Sequence, residues 1–155
     1  MKDRLSFQPS RPRRNRRNAA IRGLARETRL HPEQLIYPLF CVDGQGVEDP
    51  IATLPGMARL SEDKLLAEIE RSWNLGIRNF CLFPAVEEHL KDKTASHSWA
   101  DDNFYLRIAR NVKERFPECS LMSDVAMDPY SSDGHDGVVT EDCLLYTSDA
   151  ADDQA

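Results

Sequence analysis

The sequence predicts an α/β fold, a parallel sheet covered by helices and preceded by an extended basic arm. Three observations predict it. Short apolar runs alternate with stretches of helical period from about residue 35 to residue 125. Hydrophobic residues make up 41% and charged residues 30%, a balance that suits a folded globular chain rather than a disordered one. The charge is split along the chain. Residues 1–30 carry ten Lys or Arg against two Asp or Glu, leaving ten and twenty-four of the totals of 20 and 26 for the rest. The arm should therefore attract acidic surfaces, its own or another copy's.

The arm opens on Arg11-Pro12-Arg13-Arg14-Asn15-Arg16-Arg17, whose self-repelling charge would not fold alone. Ala19 to Glu27 can form a short helix. Leu35 to Val42 is an apolar run suited to a buried strand, although Pro38 cannot donate to a ladder. It is too short to span a bilayer, and the N-terminus lacks the apolar core of a secretory signal. A loop rich in Gly, Asp and Pro follows from Asp43 to Gly56. Ser61 offers an N-cap for a helix with Glu62 and Asp63 in its first turn. Leu65, Leu66, Ile69 and Trp73 form its apolar stripe, and Gly76 stops it.

Asn79 to Pro84 reads as a second strand and Ala85 to Ala100 as a polar loop. Asp102 or Asn103 can cap a second helix, with Phe104, Ile108, Val112 and Phe116 on its inner face and Pro117 ending it. Leu121 to Val125 is a third strand. Three parallel strands joined by two crossovers fit either a doubly wound sheet or part of a (β/α)8 barrel, and they leave two open edges.

Ligands of such folds sit on the loops at the carboxyl ends of the strands. The third strand delivers Asp124, Asp128, Ser131, Ser132, Asp133, His135 and Asp136. Asp124 ends an apolar run, where a carboxylate calls for a partner. Asp128, Asp133 and Asp136 could hold a hard cation, and His135 could serve as a general base. The same residues also make ordinary Asx turns. No phosphate loop, HExxH or GxSxG is present. Lys2, Lys64, Lys91, Lys93 and Lys113 all sit in polar surroundings, unsuited to a Schiff base. Cys41, Cys81, Cys119 and Cys143 have no chelating spacing and read as small buried apolar residues in a reducing compartment.

Four segments, in order, resemble the porphobilinogen synthase (δ-aminolevulinic acid dehydratase) family. They are Arg11 to Arg17, Pro50 to Ser61, Leu75 to Pro84, and Asp124-Val125-Ala126-Met127-Asp128-Pro129-Tyr130-Ser131-Ser132-Asp133-Gly134-His135-Asp136-Gly137. The resemblance covers about residues 10–142. It implies the N-terminal part, about three βα units, of a (β/α)8 barrel. It implies condensation of two 5-aminolevulinate molecules to porphobilinogen with loss of two waters. It also implies a homo-oligomer, commonly an octamer, gripped by the arm through Arg11, Arg13, Arg14, Arg16 and Arg17.

By the same resemblance Asp124 matches an active-site carboxylate, and Ser132 and His135 are further catalytic candidates. Ala126, Asp128 and Asp136 stand where the zinc-dependent branch has metal-binding cysteines. This points to the aspartate-rich branch, with Mg2+ and no catalytic zinc. Asp128 and Asp136 would hold metal or order substrate and water. Asp133 stands where many members have histidine, a plant- or cyanobacterial-like form.

The family's two Schiff-base lysines lie in the later half of the barrel. A barrel of this kind needs about 250 residues, so a chain of 155 residues is expected to be inactive and poorly stable alone. The expected organisation is an arm over 1–30, a partial barrel over 31–142, and a tail over 143–155 that resembles translated sequencing-adaptor read-through. A cytoplasmic protein is expected, or a plastid one from an algal or plant source, with no membrane or nucleic-acid partner. The acidic remainder and the lack of aromatics interleaved with the arm's arginines argue against nucleic acid. The alternative is a non-catalytic module whose arm docks onto another subunit.

Overall fold

The computed structural model describes residues 13–139 and the backbone of residues 144–146. Arg11 and Cys143 lie outside the described residues. The chain divides into two compact units, residues 1–31 and 32–155.

In the first unit, Arg13–Arg16 forms a 3-10 turn and Ala19–Ala25 forms helix α1. Asn18 caps α1, its Oδ1 accepting the Ile21 N–H at 2.9 Å. Leu24 is 82% exposed, so this short helix carries apolar surface with no partner among the described residues of its own unit.

The second unit is built on a five-stranded sheet in the order β2-β3-β1-β4-β5. Its strands are β1 (Ile36–Cys41), β2 (Glu48–Pro50), β3 (Ala58–Leu60), β4 (Asn79–Pro84) and β5 (Ser120–Ser123). Strands β1, β4 and β5 are parallel, with Pro38 opposite Cys81 and Cys81 opposite Met122. The expected α/β architecture is present, as are its three main strands.

The loop after β1 departs from expectation. It folds into an antiparallel β2–β3 pair, and β3 joins β1 in parallel at Phe40↔Arg59 and Cys41↔Leu60. That edge of β1 is therefore partly covered, contrary to the expected open edge. The Arg59 guanidinium meets Asp49 across the pair at 2.8 Å. Pro38 is accommodated because β3 reaches β1 only at residues 40 and 41, so at Pro38 only β4 pairs. Beyond the sheet, β6 (Gly137–Val139) pairs antiparallel with β7 (Leu144–Tyr146), a strand within the stretch read as a tail.

Two helices cover one face. Helix α2 (Glu62–Asn74) buries Leu65 and Ile69, with Leu66 and Trp73 partly buried, as the spacing predicts. Helix α3 (Phe104–Arg115) buries Phe104, Tyr105, Ile108 and Val112. They close over Leu39, Cys41, Phe80 and Leu82, alternate residues of β1 and β4. The intervening Phe40 and Phe83 stack on the opposite face at 5.6 Å.

Ser61 occupies the cap position of α2, but its side chain makes no cap bond. The hydroxyl is fully buried and accepts the Val47 N–H at 2.9 Å while donating to Asp63 at 2.6 Å. It ties the β2 end of the loop to the helix instead. The C-terminus behaves as expected. Gly76 adopts φ +95°, and a Cβ there would lie 3.2 Å from the Pro32 Cβ. Gly76→Ala combines a left-handed backbone with that close contact. It is expected to destabilise the full-length protein by about 1–2 kcal/mol, read as a lowered thermal midpoint.

Among the described residues no helix is long and apolar enough to cross a membrane. Cys41 and Cys119 are buried, whereas Cys81 is only partly so. Burial pushes the Cys41 thiol up to about 12.

Candidate functional site

Because β1, β4 and β5 run parallel, their carboxyl ends share one rim, and the segments 42–57, 85–103 and 124–137 rise from it. The third segment carries the predicted site. Asp124 follows Met122 by two residues, so it continues the face away from the helices. It is half-buried, and its Oδ1 accepts the Ala126 N–H at 3.1 Å. Its carboxylate reaches across to β4. Burial first, and then the Asp124 charge, raise the Cys81 thiol.

The sequence left open whether Asp128 and Asp136 hold metal or order substrate and water. In the structure Asp136 Oδ1 accepts the N–H groups of Met127 at 2.8 Å and Asp128 at 3.1 Å, closing the loop on itself. Burial, then the neighbouring charges of Asp136 and Asp124, raise the Asp128 carboxyl above its ordinary value. Three carboxylates thus crowd one side of the rim. Ser132, Asp133 and His135 are exposed on the same segment, with Gly134 at φ +67° between them, and Ser131 is buried. The Asp133 N–H donates to Ser131 Oγ at 3.2 Å.

An acid whose folded value is raised binds more protons folded than unfolded, so its contribution to stability falls as pH climbs from the ordinary carboxylate value through the raised one. Asp128→Asn is therefore expected to raise the thermal midpoint of the full-length protein, stripped of divalent cations, at pH 7. The gain should vanish once the pH falls below the ordinary carboxylate range. A midpoint unchanged at both pH values would show that the crowding is screened away.

Carboxylate donors of this kind suit a hard cation. Among the described residues, however, no three His, Cys, Asp or Glu side chains gather closely enough to hold a metal ion. This segment offers the Asp128 and Asp136 pair, not a complete cage.

The polar segment 85–100, expected to be a plain loop, contains 3-10 turns at Glu88–Leu90 and Ser96–Trp99 and braces the site. Asp92 pairs with Ser131 in an isolated parallel bridge. Its N–H donates to Tyr130 O at 3.2 Å, and its carbonyl accepts the Ser132 N–H at 3.0 Å. Its carboxylate, held well below the usual range by hydrogen bonds from Ser96 and Thr94, organises the turn itself. The D-x-T spacing was a readable signal for that turn.

Asn103 is the second brace. Its Oδ1 caps α3 by accepting the Tyr105 N–H at 2.8 Å, as expected of a cap. Its amide also donates to His97 O at 2.9 Å, Ser98 O at 3.1 Å and the Tyr130 hydroxyl at 3.3 Å. Lys91, read from sequence only as a loop residue, lies near enough to Asp128 to temper its shift and pairs with Glu88 at 2.5 Å.

Comparison with known proteins agrees with this fold. A solved structure of δ-aminolevulinic acid dehydratase (porphobilinogen synthase) from Toxoplasma gondii ME49, in complex with the reaction product porphobilinogen, superposes with a TM-score of 0.81. It is 44% identical, and the match covers 94% of this chain and 41% of that one. The δ-aminolevulinic acid dehydratase of Chlamydia pneumoniae is 45% identical over 128 residues, 83% of this chain and 39% of that protein. The chloroplastic enzyme of Oryza sativa subsp. japonica is 41% identical over 140 residues, 90% of this chain and 33% of that protein. The chain therefore spans between a third and two fifths of the length of these relatives. The family model for δ-aminolevulinic acid dehydratase matches residues 9–152, which include most of the stretch after residue 142. With the parallel sheet, the carboxylate-rich third segment and this match in place, the chain belongs to the δ-aminolevulinic acid dehydratase family.

Proposed function

We propose that the protein carrying this segment is a porphobilinogen synthase, condensing two molecules of 5-aminolevulinate into porphobilinogen with loss of two waters. The observation that carries the reading is family membership across nearly the whole chain; Asp124, which by the resemblance matches an active-site carboxylate, follows β5 at the carboxyl rim. The product complex of the Toxoplasma gondii relative supports the substrate class. Within this reading the segment supplies Asp124 to orient substrate and hold charge beside it, with Ser132 and His135 as further contacts. Among the described residues Lys64, Lys93 and Lys113 are exposed and Lys91 is paired with Glu88, so none of these four has the buried setting a Schiff-base lysine needs.

The same reading assigns Mg2+ to Asp128 and Asp136, completed by water and by groups outside the described residues. When bound, such a cation would polarise a substrate oxygen as a Lewis acid. The arm, with Arg13, Arg14, Arg16 and Arg17 exposed and the apolar Leu24 beside them, would grip an acidic face of a sister subunit in an octamer. The compartment is cytoplasm, or plastid as in the chloroplastic relatives.

The test is to incubate the purified full-length protein with 5-aminolevulinate and follow porphobilinogen. Formation that is lost with a chelator and restored by Mg2+ rather than Zn2+ supports both parts. Activity restored by Zn2+ alone removes the cation assignment. No product with either metal removes the function.

A further inference from the structure

We infer that Tyr105 is a positioning residue for Asp124, its hydroxyl acting as a latch inserted between the ends of β4 and β5. The regular ladder between these strands ends at Leu82↔Ser123. One step further, the Asp124 N–H reaches the Leu82 carbonyl only in a long bond, at 3.3 Å. The Tyr105 hydroxyl shares that rung and bridges the same two groups more closely. It donates to the Leu82 carbonyl at 2.9 Å and accepts the Asp124 N–H at 2.9 Å.

Both satisfied groups belong to the sheet, while the tyrosine belongs to α3 and is 4% exposed, packed in the core. Asp124 is thus fixed from the helix layer, and its carboxylate is presented on the opposite face, where it bears on Cys81. The helix carrying the latch is itself capped by Asn103, which also holds Tyr130 on the site segment. Helix α3 therefore grips the segment at both Asp124 and Tyr130. A phenol is well suited to this rung. It is long enough to reach from the core to the rim, and a single O–H can give one hydrogen bond while its oxygen takes another.

Without the hydroxyl, the Asp124 N–H is left with its long bond to the Leu82 carbonyl, and the pair can draw closer. That would move the Asp124 backbone and re-aim its carboxylate without emptying the core. Displacements of this size at a catalytic group cost up to about a hundredfold in rate, so an effect on turnover rather than on binding is expected.

The inference rests on the proposed function for its kinetic part only. In the full-length protein, Tyr105→Phe is compared with Tyr37→Phe, which removes a hydroxyl that donates to Glu68 on the helix-covered side, at 2.9 Å. Tyr105→Phe should lower kcat about tenfold with KM within about twofold. It should also speed hydrogen exchange in the peptide containing Asp124, while Tyr37→Phe does neither. A kcat within about twofold of wild type, or unchanged exchange at Asp124, would overturn the inference. If the wild-type protein makes no porphobilinogen, the functional reading fails, and the exchange comparison still decides whether Tyr105 holds Asp124.

Discussion

Asp124→Asn in the full-length protein is expected to lower the rate of porphobilinogen formation by about 10²–10³-fold while leaving the fold intact. The substitution isolates charge from shape. Asparagine keeps an Oδ1 that can accept the Ala126 N–H, and the backbone of residue 124 keeps its bonds to Tyr105 and Leu82. What disappears is a negative charge on the face of the sheet away from the helices. Crowding with Asp128 is relieved at the same time, so stability should hold or rise slightly. The effect belongs in kcat, with substrate affinity changing less, because a charge that steadies developing positive charge acts mainly in the transition state. A variant that retains turnover within a few-fold would return Asp124 to the role of a turn-forming residue and would move the catalytic assignment off this segment.

Parts of this architecture were legible from sequence because the physics that fixes them is local. The stripe Phe104, Ile108 and Val112 and the run Asn79–Pro84 announce their elements through period alone, and both appear where expected. Asp124 was legible as a charge closing an apolar run. The β2–β3 pair was not, because each strand is three residues long, too short to show a period, and β2 ends in a proline that usually speaks against a strand. Ser61 shows a different failure. Its position and its acidic followers are those of a helix cap, but the loop brought the Val47 N–H to the buried hydroxyl, which in turn donates to Asp63.

The braces of the site, Asn103 with Tyr130 and Tyr105 with Asp124, join residues 27 and 19 positions apart. Such pairings follow from the packed sheet and helix layers, not from any local pattern. The same holds for Asp136, whose acceptance of two backbone N–H groups depends on the loop turning back eight or nine residues.

The 155-residue chain on its own is expected to associate rather than unfold as a cooperative monomer. Among the described residues nothing pairs with β5 on the side away from β4, so a short row of backbone donors and acceptors is left open there. The sheet face opposite the helices is apolar. Phe40, Phe83 and Cys81 lie on it, Ile36 is 52% exposed, and Met122 is 40% exposed. A half-covered sheet gains the packing of α2 and α3 on one side and leaves the other side to water or to a neighbour. Open edge and apolar face together favour the neighbour, because stacking two copies hides both. Light scattering coupled to gel filtration should show a mass that grows with protein concentration, and a hydrophobic dye should bind without heating. Met122→Lys places a charge on the apolar face at the open edge strand, and should reduce association several-fold. A concentration-independent monomer with a sharp thermal transition would mean that the helix-covered side alone stabilises the unit, and that the opposite face is tolerated bare.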